Sequence, residues 1–281
     1  MSGPAAPVAG VAHLWGLWPT LVYLFRLESH VFAFAISACL LLGYFPFLVL
    51  LLTFVEHILR WPGAAATVYA GVRAALPDDP GLESFVLGNL QAAVAAHGGT
   101  KALSGLMLIF SSNGVFGPLE VALNRLWSFA PDRPYWRNVL LGLLLASALG
   151  LLFVAATLVG AKGAEVLVLL PGLRGLPPPS LRLIALLLVV VPFSFLGFLL
   201  VYWGLPYGRV PLVRAARSAL AAGLLIHVVR LVFLQVWPYL GFRHVYGPFF
   251  ISVTLLVWGY IAALTTLAVA EIETRAPASG G

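Results

Sequence analysis

Glu120 stands in the segment SSNGVFGPLEVALNRLW, Ser111 to Trp127, where a carboxylate, two asparagines, an arginine, two glycines and a proline interrupt an otherwise apolar run. A charge in the hydrocarbon of a bilayer costs roughly 2.5 to 3.5 kcal/mol on insertion scales, so such a group is set against a partner or a water-lined cavity. At about 100° per residue, Asn113, Gly117, Glu120 and Asn124 fall within about 60° of one another and form one polar stripe on a helix. Gly114 and Gly117 open that helix to close approach, and Pro118 has no N–H to donate to the Gly114 carbonyl. The spacing therefore predicts a helix broken near Pro118, of the kind that builds ion and substrate sites in transporters. The same residues also suit a plain interhelical clamp, in which amides and small side chains serve packing.

A counter-charge is sought in the other polar run. Gly223, His227 and Arg230 share a face through spacings of four and three, and Arg230 lies well inside the apolar run Leu220 to Trp237. The expectation is that Arg230 approaches Glu120, with His227 and Asn124 completing a polar centre, either as a structural brace or as a site. In the second case Arg230 and Arg125 attract an anionic group, while Glu120 couples by protonation or holds the arginine. No second histidine stands at metal-ligand spacing, and HExxH, Gly-x-Ser-x-Gly and P-loop patterns are absent from the sequence. Asp78, Asp79 and Asp132 are too dispersed for two-metal hydrolysis. No catalytic residue, metal or cofactor is expected, and an intramembrane lipid-modifying enzyme is the weakest of the function classes.

The elements that carry these residues are set by composition. The 281 residues are 61% hydrophobic and 9% charged, far outside the range of a soluble domain. The chain reads as an all-α integral membrane protein, a single polytopic domain over 1–281. A span needs about 20 predominantly apolar residues, and six runs qualify, at 31–55, 101–126, 139–160, 181–205, 212–240 and 249–270. Pro192 is expected to kink the fourth. Val11 to Arg26, with Trp15 and Trp18, is too short to cross and reads as an interfacial helix ahead of the first span. In the long connection from Glu56 to Thr100 the periodicity predicts two short helices, the second capped at Asp79-Pro80 and closed by Gly98-Gly99. The opening MSGPAAPVAG carries no basic residue, unlike a cleaved signal peptide.

The formal net charge of +6 comes from two Lys and fourteen Arg against three Asp and seven Glu. The arginines are scattered between apolar runs, which suits lipid headgroups and orientation rather than nucleic acid. Arg125, Arg133 and Arg137 lie between spans two and three, and Arg209, Arg214 and Arg217 between spans four and five. Both loops are assigned to the cytoplasm, which puts both termini there too. Arg60, Arg73, Lys101, Lys162, Arg174, Arg182 and Arg243 on the other side make the bias modest. The single cysteine, Cys39, allows no disulfide within the chain. Membrane lipids and an anionic or amphiphilic substrate are the expected partners, with oligomeric state left open.

GGTKALSGLMLIFSSNGVFGPLEVALNRLW, from Gly98 to Trp127, resembles the signature region of the YihY/BrkB family of bacterial inner-membrane proteins, with Leu123-Asn124-Arg125-Leu126-Trp127 matching its aliphatic-Asn-aromatic segment. RAARSALAAGLLIHVVRLVFLQVW, YGPFFISVTLLVWGYIAALTTLAVAEIE and the Pro46-bearing stretch from Phe32 to Leu51 are similar to other spans of that family. The resemblance runs from about Leu21 to Glu273. It implies six spans, an inner-membrane location and a role in the cell envelope for which lipid or solute translocation has been proposed. A non-transporting scaffold for envelope assembly is the competing expectation. The family has also carried a ribonuclease label, against which the missing metal constellation argues. The sequence lacks the long charged tail of many members, which puts tail-mediated partner binding in doubt.

Overall fold

The computed structural model describes residues 18–57, 60, 63–75, 80–95, 98–130, 133–169 and 178–275. Its helices are α1 (Leu27–His57), α2 (Ala64–Ala75), α3 (Pro80–Ala95), α4 (Gly98–Leu126), α5 (Tyr135–Leu169), α6 (Pro178–Gly204), α7 (Leu212–Val236), α8 (Phe242–Tyr246) and α9 (Phe250–Arg275). A short helix over 18–24 precedes them, and no strand occurs among the described residues. The protein is all-α and membrane-embedded. Five helices, α1, α4, α5, α7 and α9, are long and apolar enough to cross a bilayer, and α6 adds a shorter apolar stretch, Val190–Gly204.

Helix boundaries follow local chemistry. The expected span 212–240 stops being α-helical at Val236, because Pro238 cannot donate to the ladder, and the chain turns through a 3-10 segment at Trp237–Tyr239. Gly241 and Gly247, at φ 60° and 49°, supply the left-handed turns on either side of α8. The two short helices of the first long connection are present as α2 and α3, and Pro80 opens the second. Asp79 lies outside the described residues, as do Trp15, Arg174 and the side chains of Lys162 and Arg182. Gly98 begins α4 instead of closing α3, so this helix starts three residues earlier than the expected 101.

The break expected at Pro118 does not occur. α4 continues through it, as α1 continues through Pro46 and α6 through Pro192. Within a packed bundle, neighbouring helices and hydroxyl side chains compensate a freed carbonyl, and the local rule is overridden.

Neighbour contacts run α4–α1–α9–α7–α6–α5 and back to α4, a closed ring of six helices. Close approach in the ring rests on small residues. A Cβ at Gly114 would stand 2.3 Å from Cys39 Sγ, one at Gly43 2.4 Å from Ser111 Oγ, and one at Gly259 3.3 Å from the Ser37 backbone. Antiparallel pairing is fixed by Arg125–Glu28 between α4 and α1 and by His30–Tyr260 and Ser37–Leu256 between α1 and α9. One face of the ring therefore carries the 18–24 helix, the carboxyl end of α9 and the loops 127–134 and 205–211. We call it the termini face. The opposite, cap face carries α2, α3 and α8.

The two halves are packed differently. Toward the termini face one core takes side chains from all six ring helices, among them Ala33, Leu123, Leu145, Tyr202, Ala219 and Leu267. Toward the cap face a second core joins α1, α2, α3, α5 and α9 through residues such as Leu52, Val68, Val86, Val154 and Ile251. Among the described residues, neither α6 nor α7 gives it a buried side chain.

Candidate functional site

Glu120 sits on the buried face of α4, two turns before the helix ends at the termini face, with only 6% of its surface exposed. Its Oε1 lies 3.6 Å from Nη1 of Arg133, in the loop leading to α5. Arg133 makes further contacts with the loop that follows α6. Nη1 donates to the Leu205 carbonyl at 3.1 Å, Nη2 to the Pro206 carbonyl at 2.8 Å, and the guanidinium lies 5.5 Å from the Tyr207 ring centroid. A planar guanidinium with five donors is suited to gather a carboxylate and two carbonyls at once.

Asn124 ties the same loop from the α4 side. Its Oδ1 accepts the Tyr207 N–H at 2.7 Å, and its own carbonyl accepts the Phe129 N–H at 2.8 Å. Gly208 then passes so close to Phe129 that a Cβ would meet the ring at 2.5 Å. The end of α4, the loop 127–134 and the loop 205–208 are thus closed on one another by a polar latch around Glu120, Asn124 and Arg133. The Asn124 side chain also lies against the Glu120 carboxylate, and Trp127 Nε1 is buried beside them.

The counter-charge expected for Glu120 is corrected here: Arg133 holds it, and Arg230 does not. The reason is depth. Glu120 precedes the end of α4 by six residues and Arg230 follows the start of α7 by eighteen. Both of those helix ends lie at the termini face, so at 1.5 Å per residue the two side chains sit about 9 Å and about 27 Å from it. Arg230 is half-buried near the cap face. One turn before it, His227 Nε2 meets Ser194 Oγ of α6 at 3.0 Å, and Gly223 admits the α6 backbone at Phe195. His227 therefore belongs to a separate α6–α7 contact, with Arg230 one turn farther from the latch.

The remaining expected residues divide by height. Arg125 points outward, 3.2 Å from Glu28 and over the Phe32 ring. Asn113 and Gly117, above the latch, are half-buried, with Asn113 Nδ2 3.4 Å from Tyr135 Oη. A Cβ at Gly117 would meet only its own helix's Asn113, at 4.0 Å, so this face of α4 is open. Gly114 is closed against Cys39, and Pro118 passes within the unbroken helix. A cavity of about 420 Å³ lies inside the ring on the cap side of the latch, lined by Leu41, Tyr44, Ser112, Phe116, Leu149 and Trp258 among others from α1, α4, α5 and α9. Its walls are mostly apolar. No three His, Cys, Asp or Glu side chains converge on a metal-sized site among the described residues.

The chain is similar to known proteins over most of its length. A family model described as Virulence factor BrkB matches residues 26–278. The chain belongs to the BrkB family. Among curated relatives of this BrkB-family chain, a UPF0761 membrane protein from Chlorobium limicola (strain DSM 245 / NBRC 103803 / 6330) is 30% identical over 181 residues, covering 60% of this chain and 38% of the relative. One from Chlorobium chlorochromatii (strain CaD3) is 26% identical over 219 residues, 69% of this chain and 47% of the relative. A third, from Cronobacter sakazakii (strain ATCC BAA-894), is 29% identical over 187 residues, 64% of this chain and 60% of its own. The matches thus span from about two fifths to three fifths of these relatives. No solved structure matches the chain.

Proposed function

We propose that this BrkB-family protein is a transporter or exchanger of an anionic, amphiphilic substrate in the bacterial inner membrane, and that the Glu120–Arg133 latch is its gate at the cytoplasmic face. The observation that carries the reading is the contrast along the ring. One end is packed across all six helices and latched by the Glu120–Arg133 pair, whereas the interior beyond it holds an apolar cavity of about 420 Å³. An interior closed at one end and hollow toward the other is one half of an alternating-access cycle. The termini face carries Arg26, Arg125, Arg133, Arg137, Arg209, Arg214, Arg217 and Arg275, an arginine bias that supports a cytoplasmic assignment for it.

Opening requires Arg133 to leave the Leu205 and Pro206 carbonyls. A proton on Glu120, or an anionic group competing for the guanidinium, weakens the hold that keeps Arg133 there. Either event frees the loop 205–208 and exposes Asn124 and Trp127 to water or ligand. The cavity lining accommodates hydrocarbon, and Arg133 supplies a half-buried cation at the termini face. A chain with both features is suited to a molecule with an apolar part and an anionic part.

The tight glycine contacts between α1 and α4 favour a second reading, a rigid membrane scaffold in which the latch only locks helices. Single cysteines separate the two. In a Cys39→Ala background, Ser112→Cys and Phe116→Cys, which line the cavity, react with a small charged thiol reagent if the interior is wet, while Asn124→Cys reacts only when the latch opens. Equal inertness at all three positions, at every pH tried, supports the scaffold.

A further inference from the structure

The amino-terminal helix and the termini ends of three spans enclose a second hollow, outside the ring and unconnected with the latch. Its volume is about 540 Å³, and its charged lining residues are Arg26, Glu28, Arg125, Glu271 and Arg275. We infer that this cleft binds the headgroup of an anionic phospholipid from the termini-face leaflet, with Arg26 and Arg125 as the phosphate-binding cations.

The charges in the cleft do different jobs. Glu271 is spent on structure: its Oε2 accepts from Thr20 Oγ1 at 2.7 Å and from Arg275 Nη2 at 2.5 Å. Arg275 also donates to Thr20, so this buried clamp fastens the 18–24 helix to α9, 251 residues away in sequence, and makes a wall of it. That leaves Arg26 and Arg125 against one carboxylate, Glu28. The Arg125–Glu28 pair is 3.2 Å long but exposed, at 60% and 70% of the two side chains. An ion pair that wet contributes about 0 to 1 kcal/mol, and a phosphate carrying a full charge and several acceptors displaces it readily.

The rest of the lining says which source the phosphate comes from. Phe32, Ala122 and Leu126 make an apolar floor running from the arginines into the groove between α1 and α4. Trp18, Leu21, Val22, Phe25 and Leu27 expose apolar surface around the same rim, with Phe25 80% and Leu27 78% exposed. Aromatic and aliphatic side chains beside arginines at a span end are the mark of the headgroup zone, and the floor gives an acyl chain a path that a water-soluble phosphate has no use for. This site does not depend on the transport reading, because it needs neither an open latch nor a filled interior.

Native mass spectrometry of the detergent-purified full chain tests it. Phosphatidylglycerol is expected to stay bound where phosphatidylcholine with the same chains is stripped. Arg26→Gln and Arg125→Gln should each lower phosphatidylglycerol occupancy about fivefold, the value of one arginine at an anionic surface. Arg137→Gln, on an exposed arginine outside the cleft, should leave it unchanged. Glu28→Gln should raise occupancy by releasing Arg125, a gain that misfolding cannot imitate. Equal retention of the two lipids, no response to the cleft variants, or displacement by glycerol 3-phosphate at millimolar concentration would overturn the assignment to a bilayer lipid.

Discussion

Replacing Arg133 by Gln removes the cation of the latch and leaves its other members in place. The Glu120 carboxylate, 6% exposed, then loses its counter-charge, and the Leu205 and Pro206 carbonyls lose two charged donors at 3.1 and 2.8 Å. Removing one partner of a buried ion pair costs about 3 to 5 kcal/mol, and the 21% exposure of Arg133 together with the 3.6 Å separation places this case toward the lower figure. We therefore expect Arg133→Gln to destabilise the protein by about 3 kcal/mol. Glu120→Gln keeps a neutral acceptor beside Arg133 and leaves the arginine its two carbonyls, so about 1 kcal/mol is expected, the worth of an ordinary hydrogen bond. The double variant should be less harmful than the sum of the two by at least about 1 kcal/mol, because once either charge is gone the other has less to lose. Arg137→Gln, at an exposed arginine lying over Trp136, is the control, within about 0.5 kcal/mol of wild type. The assay is unfolding in mixed detergent micelles titrated with a denaturing detergent and followed by fluorescence. If Arg133→Gln behaves like Arg137→Gln, or the two latch variants simply add, the pair is not a coupled unit and the gate argument fails.

Other outcomes follow from particular contacts. Gly208→Ala sets a methyl 2.5 Å from the Phe129 ring and should cost about 1 to 3 kcal/mol of stability, partly restored by Phe129→Leu in the same denaturation assay. Gly114→Ala should be harmful beside Cys39, whose sulfur would lie 2.3 Å from the new carbon, and better tolerated in Cys39→Ala, as read by thermal unfolding. Glu271→Gln breaks the Thr20 and Arg275 clamp, so amide exchange over 18–24 should quicken while that of α4 is unchanged. Burial pushes the Tyr23 hydroxyl above the usual tyrosine range, so the neutral form is favoured in the folded state. Its contribution is complete below pH about 10 and is lost as pH rises past that value, which Tyr23→Phe should abolish in an exchange experiment on the same helix.

The long apolar helices were legible because the hydrocarbon slab imposes a length on them: five of the six expected runs lie on helices long and apolar enough to cross, and the fourth shows only the shorter apolar stretch Val190–Gly204. α2 and α3 were legible from periodicity and from Pro80 at a helix start. Of the expected stripe, Glu120 and Asn124 share the buried face on which the latch is built, whereas Asn113 and Gly117 lie outside the latch. The partner was not legible. Arg133 sits in a short loop among other arginines, where it reads as an orientation charge, and nothing in its neighbours announces that it turns inward to α6. Comparing how far each charge lies from its span end would have excluded Arg230 and favoured a loop cation. Leu205, Pro206 and Tyr207 act through backbone groups, which leave no signature in side-chain type. Pro118 misled for the opposite reason, because its local effect is real and the bundle compensates it.

The central claim is that the latch opens and closes during transfer of an anionic amphiphile. It is tested most directly by placing cysteines at Asn124→Cys and Tyr207→Cys in the Cys39→Ala protein, reconstituting it in vesicles, and following movement of fluorescent anionic lipids and small amphiphiles between leaflets. The account predicts transfer with the cysteines reduced, arrest on oxidation to the cross-linked form, and recovery on reduction. Transfer that continues undiminished through a fully cross-linked latch, or no transfer of any tested amphiphile by the unmodified protein, would contradict it.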